Sequence, residues 1–132
     1  IVLLPGSKNT LDDLYELRRN GVAQAILKAQ QEGATVLGIC GGYQMMGLEV
    51  RDPEGVEGDV RMLPGLGLLP VITTMQGNKV TRQVDFTFDG TGTVCKGYEI
   101  HMGRTVPVEG APPSPLNQLV DGREDGYRNN QK

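Results

Sequence analysis

Thr35-Val36-Leu37-Gly38-Ile39-Cys40-Gly41-Gly42-Tyr43-Gln44 is a short apolar strand that runs straight into a cysteine and a glycine pair. A short apolar segment, Tyr43 to Leu48, follows at once. Such an order places one thiol on a sharp strand-to-helix turn, where the sulfur is exposed and the next helix points its N–H groups toward it. A helix N-terminus carries roughly half a positive charge, which favours the thiolate, the form that attacks carbon. Glycine beyond the turn removes the steric cost of an unusual backbone angle and lets a substrate approach. A lone cysteine ending a core strand is more often an inert buried thiol; here the glycine pair and the abrupt change of pattern favour the nucleophile.

Outward from this turn, Ile1-Val2-Leu3-Leu4 is a continuous apolar run closed by Pro5-Gly6, the pattern of a central parallel strand. Thr10 is expected to cap a helix whose first turn holds Asp12 and Asp13, with Leu11, Leu14 and Leu17 spaced three apart and Gly21 closing it. Val22, Ala25, Ile26 and Ala29 predict a second helix to about Glu32, stopped by Gly33. Strand, helices, strand and helix form a βαβ unit, so the loops around Gly6 and Cys40 become neighbours at the sheet edge where α/β proteins build sites. The second half differs. Residues 51–58 read as an acidic loop, Leu66 to Thr73 as a strand, and Lys79 to Phe88 and Thr93 to His101 as strands of a β-hairpin type; residues 107–115, with four prolines, read as irregular. The expected class is α/β, a mainly parallel sheet flanked by helices, of a flavodoxin-like kind, with a small antiparallel extension.

Composition narrows the function. The chain's 132 residues suffice for one core. A net charge of −3 argues against nucleic acid or an anionic membrane as partner. No apolar run nears the roughly 20 residues that span a bilayer. Cys40 and Cys95 alone give no disulfide framework, so a reducing cytoplasm is the expected location. No His, Cys, Asp or Glu cluster has metal-ligand spacing, and no metal is expected. The chain opens on Ile1, already within a strand, and reads as a piece of something longer.

A thiol nucleophile needs somewhere to place the charge that develops on the attacked carbonyl. The Gly41 amide supplies one donor and the Pro5-Gly6-Ser7 loop another, although Gly6 alone is equally a plain turn residue. Gln44, one helical turn beyond Cys40, faces either the same cleft, where an amide suits an amide or carboxylate, or solvent. The only histidine, His101, stands in Gly97-Tyr98-Glu99-Ile100-His101-Met102-Gly103 and is a base, a pocket wall or a structural residue, with Glu99 a further acceptor. Lys8 and Ser7 lack the spacing of a phosphate loop, and Cys95 reads as an inert core thiol.

These stretches resemble a known family. Leu4-Pro5-Gly6-Ser7-Lys8-Asn9-Thr10, Gly38 to Gly47, Asp52 to Gly58, Gly65 to Val71 and Gly97 to Thr105 are similar in order and separation to the class I (triad-type) glutamine amidotransferase domain of cobyric acid synthases. The resemblance implies that Cys40 attacks L-glutamine and forms a thioester, that the Gly6 and Gly41 amides form the oxyanion hole, and that Gln44 contacts the substrate. It implies a synthetase domain on the same polypeptide, using ATP and Mg²⁺ to amidate a corrinoid during cobalamin biosynthesis, and no cofactor in this domain. His101 falls near the pocket and not at the base. The family's catalytic histidine follows a Tyr-Leu-His-Gly motif absent from these residues, so 1–132 reads as a partial domain lacking that segment and the first strands. Three rivals stand beside this reading: a silent docking or regulatory module of a synthetase, the related cobyrinic acid a,c-diamide synthase type, and a cysteine hydrolase acting on another acyl group.

Overall fold

A computed structural model describes residues 1–88 and 90–129. Strand β1 (Val2–Leu4) pairs in parallel with β2 (Val36–Gly38), in the register Val2 to Val36 and Leu4 to Gly38. Between them run helices α1 (Thr10–Arg19) and α2 (Val22–Gln31). The α1 cap is Asn9 and not Thr10: the Asn9 side chain accepts the Asp12 N–H at 3.0 Å, leaving Thr10 as the first helical residue with its hydroxyl free for another partner. Leu11 and Leu14 are buried as their spacing requires, each contributing about 2 kcal/mol by leaving water. The buried face of α2 is turned from the expected one. Ala23 and Ile26 are buried, whereas Val22 is 41% exposed, because Gly21, in the left-handed region at φ 83°, redirects the chain between the two helices.

The one-turn helix α3 (Gly41–Met45) follows β2. A second sheet runs in the order β4 (Met62–Pro64), β3 (Glu49–Arg51), β5 (Val71–Thr74) and β8 (Arg104–Pro107), with β3 and β5 parallel and the outer pairs antiparallel. A third, antiparallel sheet contains β10 (Glu124–Asp125), β9 (Asn117–Leu119), β6 (Val80–Phe88) and β7 (Val94–His101), in that order. The class is α/β as expected, with more antiparallel pairing than the sequence pattern indicated.

Residues 66–70 do not extend β5. Leu66 donates to the Met45 carbonyl at 2.8 Å, and Leu68 and Leu69 donate to that of Met46 at 2.9 and 3.0 Å. Leu66 and Leu69, three apart, are buried and Leu68 is half-buried, so this stretch clasps the carbonyl end of α3 and forms no ladder. One continuous core joins Leu4, Leu11, Leu14, Met45, Met46, Val50, Val71 and Met75 across these elements.

Candidate active site

Cys40 sits on the turn between β2 and α3 with φ 52° and ψ −116°, the only described non-glycine residue at positive φ. That backbone region costs an L-residue about 1–3 kcal/mol and persists only where surrounding structure imposes it. Three glycines impose it. A Cβ on Gly42 would lie 2.1 Å from the Leu4 carbonyl oxygen, and one on Gly38 would lie 2.5 Å from the Met46 sulfur. A Cβ on Gly41 would lie 2.9 Å from Cβ of Ser7. Strand end, elbow and α3 are thus in direct backbone contact with the β1 loop. Hydrogen bonds close the turn: the Gly42 N–H donates to Ile39 and the Gln44 N–H to Cys40, both at 3.0 Å.

The structure brings Gly6, Gly41 and Cys40 together. The thiol is exposed, and a Cβ on Gly6 would lie only 3.7 Å from that of Cys40. The electrostatic expectation changes, however. With five residues, α3 is too short to sum a macrodipole, so local N–H groups, and not a helix field, are what a developing oxyanion would meet. The loop that presents Gly6 is held by its own side chains: the Ser7 hydroxyl donates to the Asp13 carboxylate, and the Asn9 N–H donates to Ser7 Oγ at 3.1 Å.

The end of β7 and the β7–β8 turn cover the other side, and the groups that reach Cys40 and Gln44 from there are backbone carbonyls. The Cys40 thiol donates to the Ile100 carbonyl at 3.5 Å. Gln44 is buried; its Nε2 donates to the Met102 carbonyl at 2.9 Å and its Oε1 accepts the Thr10 hydroxyl at 3.3 Å. The His101 ring makes neither contact. Its Nδ1 faces the Gly103 carbonyl and its Nε2 faces Glu99, both at 3.0 Å. Glu99 also meets Arg123 at 3.2 Å and Arg82 at 3.5 Å. Burial raises the Glu99 pKa, but the His101 hydrogen bond and the two guanidinium groups outweigh it and hold the carboxyl below its ordinary value. Burial foremost, then the charges of Asp125 and Tyr127, pushes the Tyr43 phenol up to about 12, so this neighbour of the elbow stays protonated. Cys95, on β7, is a half-buried free thiol.

Sequence reasoning missed Asp52. It is fully buried, and its two carboxylate oxygens accept the N–H groups of Val56 and Glu57 at 2.8 and 2.9 Å. The ordered loop then grips the start of α1: Asn9 Nδ2 donates to the Glu57 carbonyl at 2.9 Å, and the Leu11 N–H donates to the Glu57 carboxylate at 3.2 Å. Burial, followed by the weaker repulsion from Asp52, keeps the Glu57 pKa raised against those hydrogen bonds. An acid followed by Pro53, Gly55 and Gly58 was the available signal, since an aspartate heading a tight turn commonly collects the next free amides.

Residues 1–132 match the family model described as the CobB/CobQ-like glutamine amidotransferase domain. Among similar proteins, a cobyric acid synthase from Phocaeicola vulgatus is 72% identical over 132 residues, which is 100% of this chain and 27% of that protein. One from Bacteroides fragilis is 71% identical over 127 residues, 96% of this chain and 26% of its own length. One from Geobacillus sp. is 44% identical, over 97% of this chain and 25% of its own length. The chain thus spans about a quarter of the length of the curated relatives it matches. A solved glutamine amidotransferase shares the fold at a TM-score of 0.58 and 22% identity, with 91% of this chain and 60% of that one covered. Matched over its whole length, the chain belongs to the family of CobB/CobQ-like glutamine amidotransferase domains.

Proposed function

We propose that Cys40 hydrolyses L-glutamine through a thioester and that the ammonia passes to a synthetase domain of the same polypeptide. There, with ATP and Mg²⁺, it amidates carboxylates of a corrinoid, as the printed name of the relatives, cobyric acid synthase, suggests. The observation that carries the reading is the glycine-like backbone at Cys40, held there against its own strain with the thiol exposed beside the Gly6 loop. The sulfur attacks the side-chain amide carbon of glutamine while its proton goes to a base. The Gly6 and Gly41 amides take the oxyanion. Collapse breaks the C–N bond, ammonia leaves carrying the transferred proton, and water then cleaves the thioester to glutamate. His101 is the chain's only histidine and both its ring nitrogens are engaged elsewhere; the resemblance to the family implies as base a histidine of a Tyr-Leu-His-Gly motif, which residues 1–132 do not contain. Both cysteines are free thiols, in keeping with a cytoplasmic location, and no described helix is long and apolar enough to cross a membrane.

The test is labelling with 6-diazo-5-oxo-L-norleucine, an electrophilic glutamine analogue. Stoichiometric modification of Cys40, slowed by L-glutamine, is expected. Modification of Cys40 no faster than of Cys95 overturns the reading and leaves a silent docking module.

A further inference from the structure

The first turn of α1 is capped partly from a distant loop. The N–H groups of Asn9 to Asp12 have no acceptor inside the helix. Two of them find local partners: Asn9 donates to Ser7 Oγ at 3.1 Å and Asp12 to Asn9 Oδ1 at 3.0 Å. The middle pair turns to Glu57. Leu11, 46 positions away, donates to its carboxylate at 3.2 Å, and the Thr10 N–H also stabilises that carboxylate. Asn9 Nδ2 donates to the Glu57 carbonyl at 2.9 Å, so Glu57 grips α1 with both its side chain and its main chain.

What moves with that turn is the oxyanion side of the site. The Ser7 hydroxyl donates to the Asp13 carboxylate, so residues 7–9 and the first turn of α1 form one unit, and Gly6 is the next residue outward. The unit rests on the elbow: a Cβ on Gly41 would lie 3.0 Å from the Ser7 nitrogen and 3.1 Å from Thr10 Oγ1. Glu57 itself is anchored behind the elbow. Its N–H goes to Asp52, fully buried at the end of β3, the strand that follows α3. Elbow, α3, β3, the 52–58 loop and α1 thus form a circuit that returns to the Gly6 loop. Leu11 and Leu14 press α1 on the core, but apolar burial has no direction; the Glu57 bonds fix where the first turn stops.

We propose that Glu57 is a positioning residue for the reaction at Cys40: it sets the first turn of α1, and with it the Gly6 amide, at the distance from the sulfur that an oxyanion needs. The proposal rests on the reading of Cys40 as the nucleophile and of the Gly6 amide as an oxyanion donor. Loss of the Glu57 grip lets the Gly6 loop drift, while the elbow, held by its own glycines, stays in place. Glutamine hydrolysis, which passes through the oxyanion, then slows. Alkylation by iodoacetamide, which displaces iodide at a saturated carbon and develops no oxyanion, does not.

The experiment compares wild type with Glu57→Ala and Glu57→Gln in the full-length polypeptide. Glutamate release is followed over a series of glutamine concentrations, and alkylation of Cys40 by iodoacetamide is followed separately. Glu57→Ala is expected to lower kcat by about ten- to hundredfold, less than outright loss of an oxyanion donor, with KM and the alkylation rate within about twofold of wild type. Glu57→Gln keeps an oxygen for the Leu11 N–H and should retain kcat within about threefold. An unchanged kcat in Glu57→Ala overturns the proposal. So does a KM raised about tenfold at constant kcat, the mark of a lost substrate contact. Alkylation that slows in step with kcat also overturns it, because the elbow itself has then collapsed. Should Glu57→Ala lose its cooperative melting, Glu57→Asp decides, since it keeps the charge but falls one methylene short of Leu11. A kcat lost in Glu57→Asp and kept in Glu57→Gln supports the proposal; equal activity of the two refutes it. A Cys40→Ala polypeptide that still releases glutamate sinks the nucleophile reading and this proposal together. Glu57 variants as active as wild type, beside an inert Cys40→Ala, sink the proposal alone.

Discussion

Replacing Gly42 by alanine sets two effects of opposite sign against each other. Gly42 lies inside α3, where alanine is favoured over glycine by roughly 0.5–1 kcal/mol on propensity alone. The new methyl, however, would lie 2.1 Å from the Leu4 oxygen, 2.5 Å from the Leu4 carbonyl carbon and 2.6 Å from the Pro5 oxygen. All three are backbone atoms at the end of β1, so no rotamer change relieves the contact, and the strand end and α3 must part by more than an ångström. Ordinary overpacking costs about 1–3 kcal/mol, and an obstacle made only of main chain belongs at the upper end. The balance is a loss of about 2 kcal/mol, or a fall in Tm of roughly 6–10 °C for a domain of this size. Because parting the two elements also moves the sulfur, Cys40 labelling by the glutamine analogue should slow at least tenfold. Gly77→Ala is the control, since a Cβ there meets nothing within 4 Å. Thermal unfolding and labelling rates read both changes. A Gly42→Ala protein as stable as wild type, with normal labelling, would refute the claim that backbone contact builds the elbow.

Other outcomes follow from the same geometry. Cys40→Gly should raise stability by about 1 kcal/mol, as strain at φ 52° is relieved, while abolishing labelling by the glutamine analogue; a lower Tm would contradict the strain. Asp52→Ala leaves two half-buried N–H groups without their acceptor and should cost about 1–2 kcal/mol, measured by denaturant titration, with faster hydrogen exchange over residues 55–58 as its signature. Glu99, whose folded pKa is held below the ordinary 4.5, adds stability that is present above that value and fades as the pH falls through the lowered one. Glu99→Gln should therefore flatten the stability profile below about pH 4.5, and an unchanged acid limb would show that the Arg82, Arg123 and His101 contacts contribute nothing.

The parallel unit and its elbow were legible because their signals are local. An apolar run ending in Pro-Gly, helical leucine spacing, and a cysteine between glycines each constrain their own few residues. The choice between Asn9 and Thr10 as cap was not, since both can accept an amide hydrogen bond and the acids at 12 and 13 suit either frame. Residues 66–70 read as a strand because they are an apolar run, with Leu66 and Leu69 packed on the core, yet the Leu66, Leu68 and Leu69 N–H groups go to the end of α3, a partner some twenty positions away that periodicity cannot name. The motif around His101 lies beside the elbow, but the atoms that meet it could not be read from the sequence. It is the carbonyls of Ile100 and Met102 that reach Cys40 and Gln44, and main-chain oxygens carry no trace in the sequence. Strands β3, β4, β8, β9 and β10 are two to four residues long, below the length at which alternation is distinguishable from chance.

A cysteine in a glycine's conformation also bears on how such a domain decays. Drift away from Cys40 is opposed only by selection for the chemistry, because the fold itself gains when the side chain there is lost. In a lineage released from glutamine hydrolysis, glycine or asparagine should settle at this position early, while the Gly38, Gly41 and Gly42 contacts, which the architecture still needs, stay in place. An intact glycine frame around a missing thiol would then be the mark of a descendant kept for its shape.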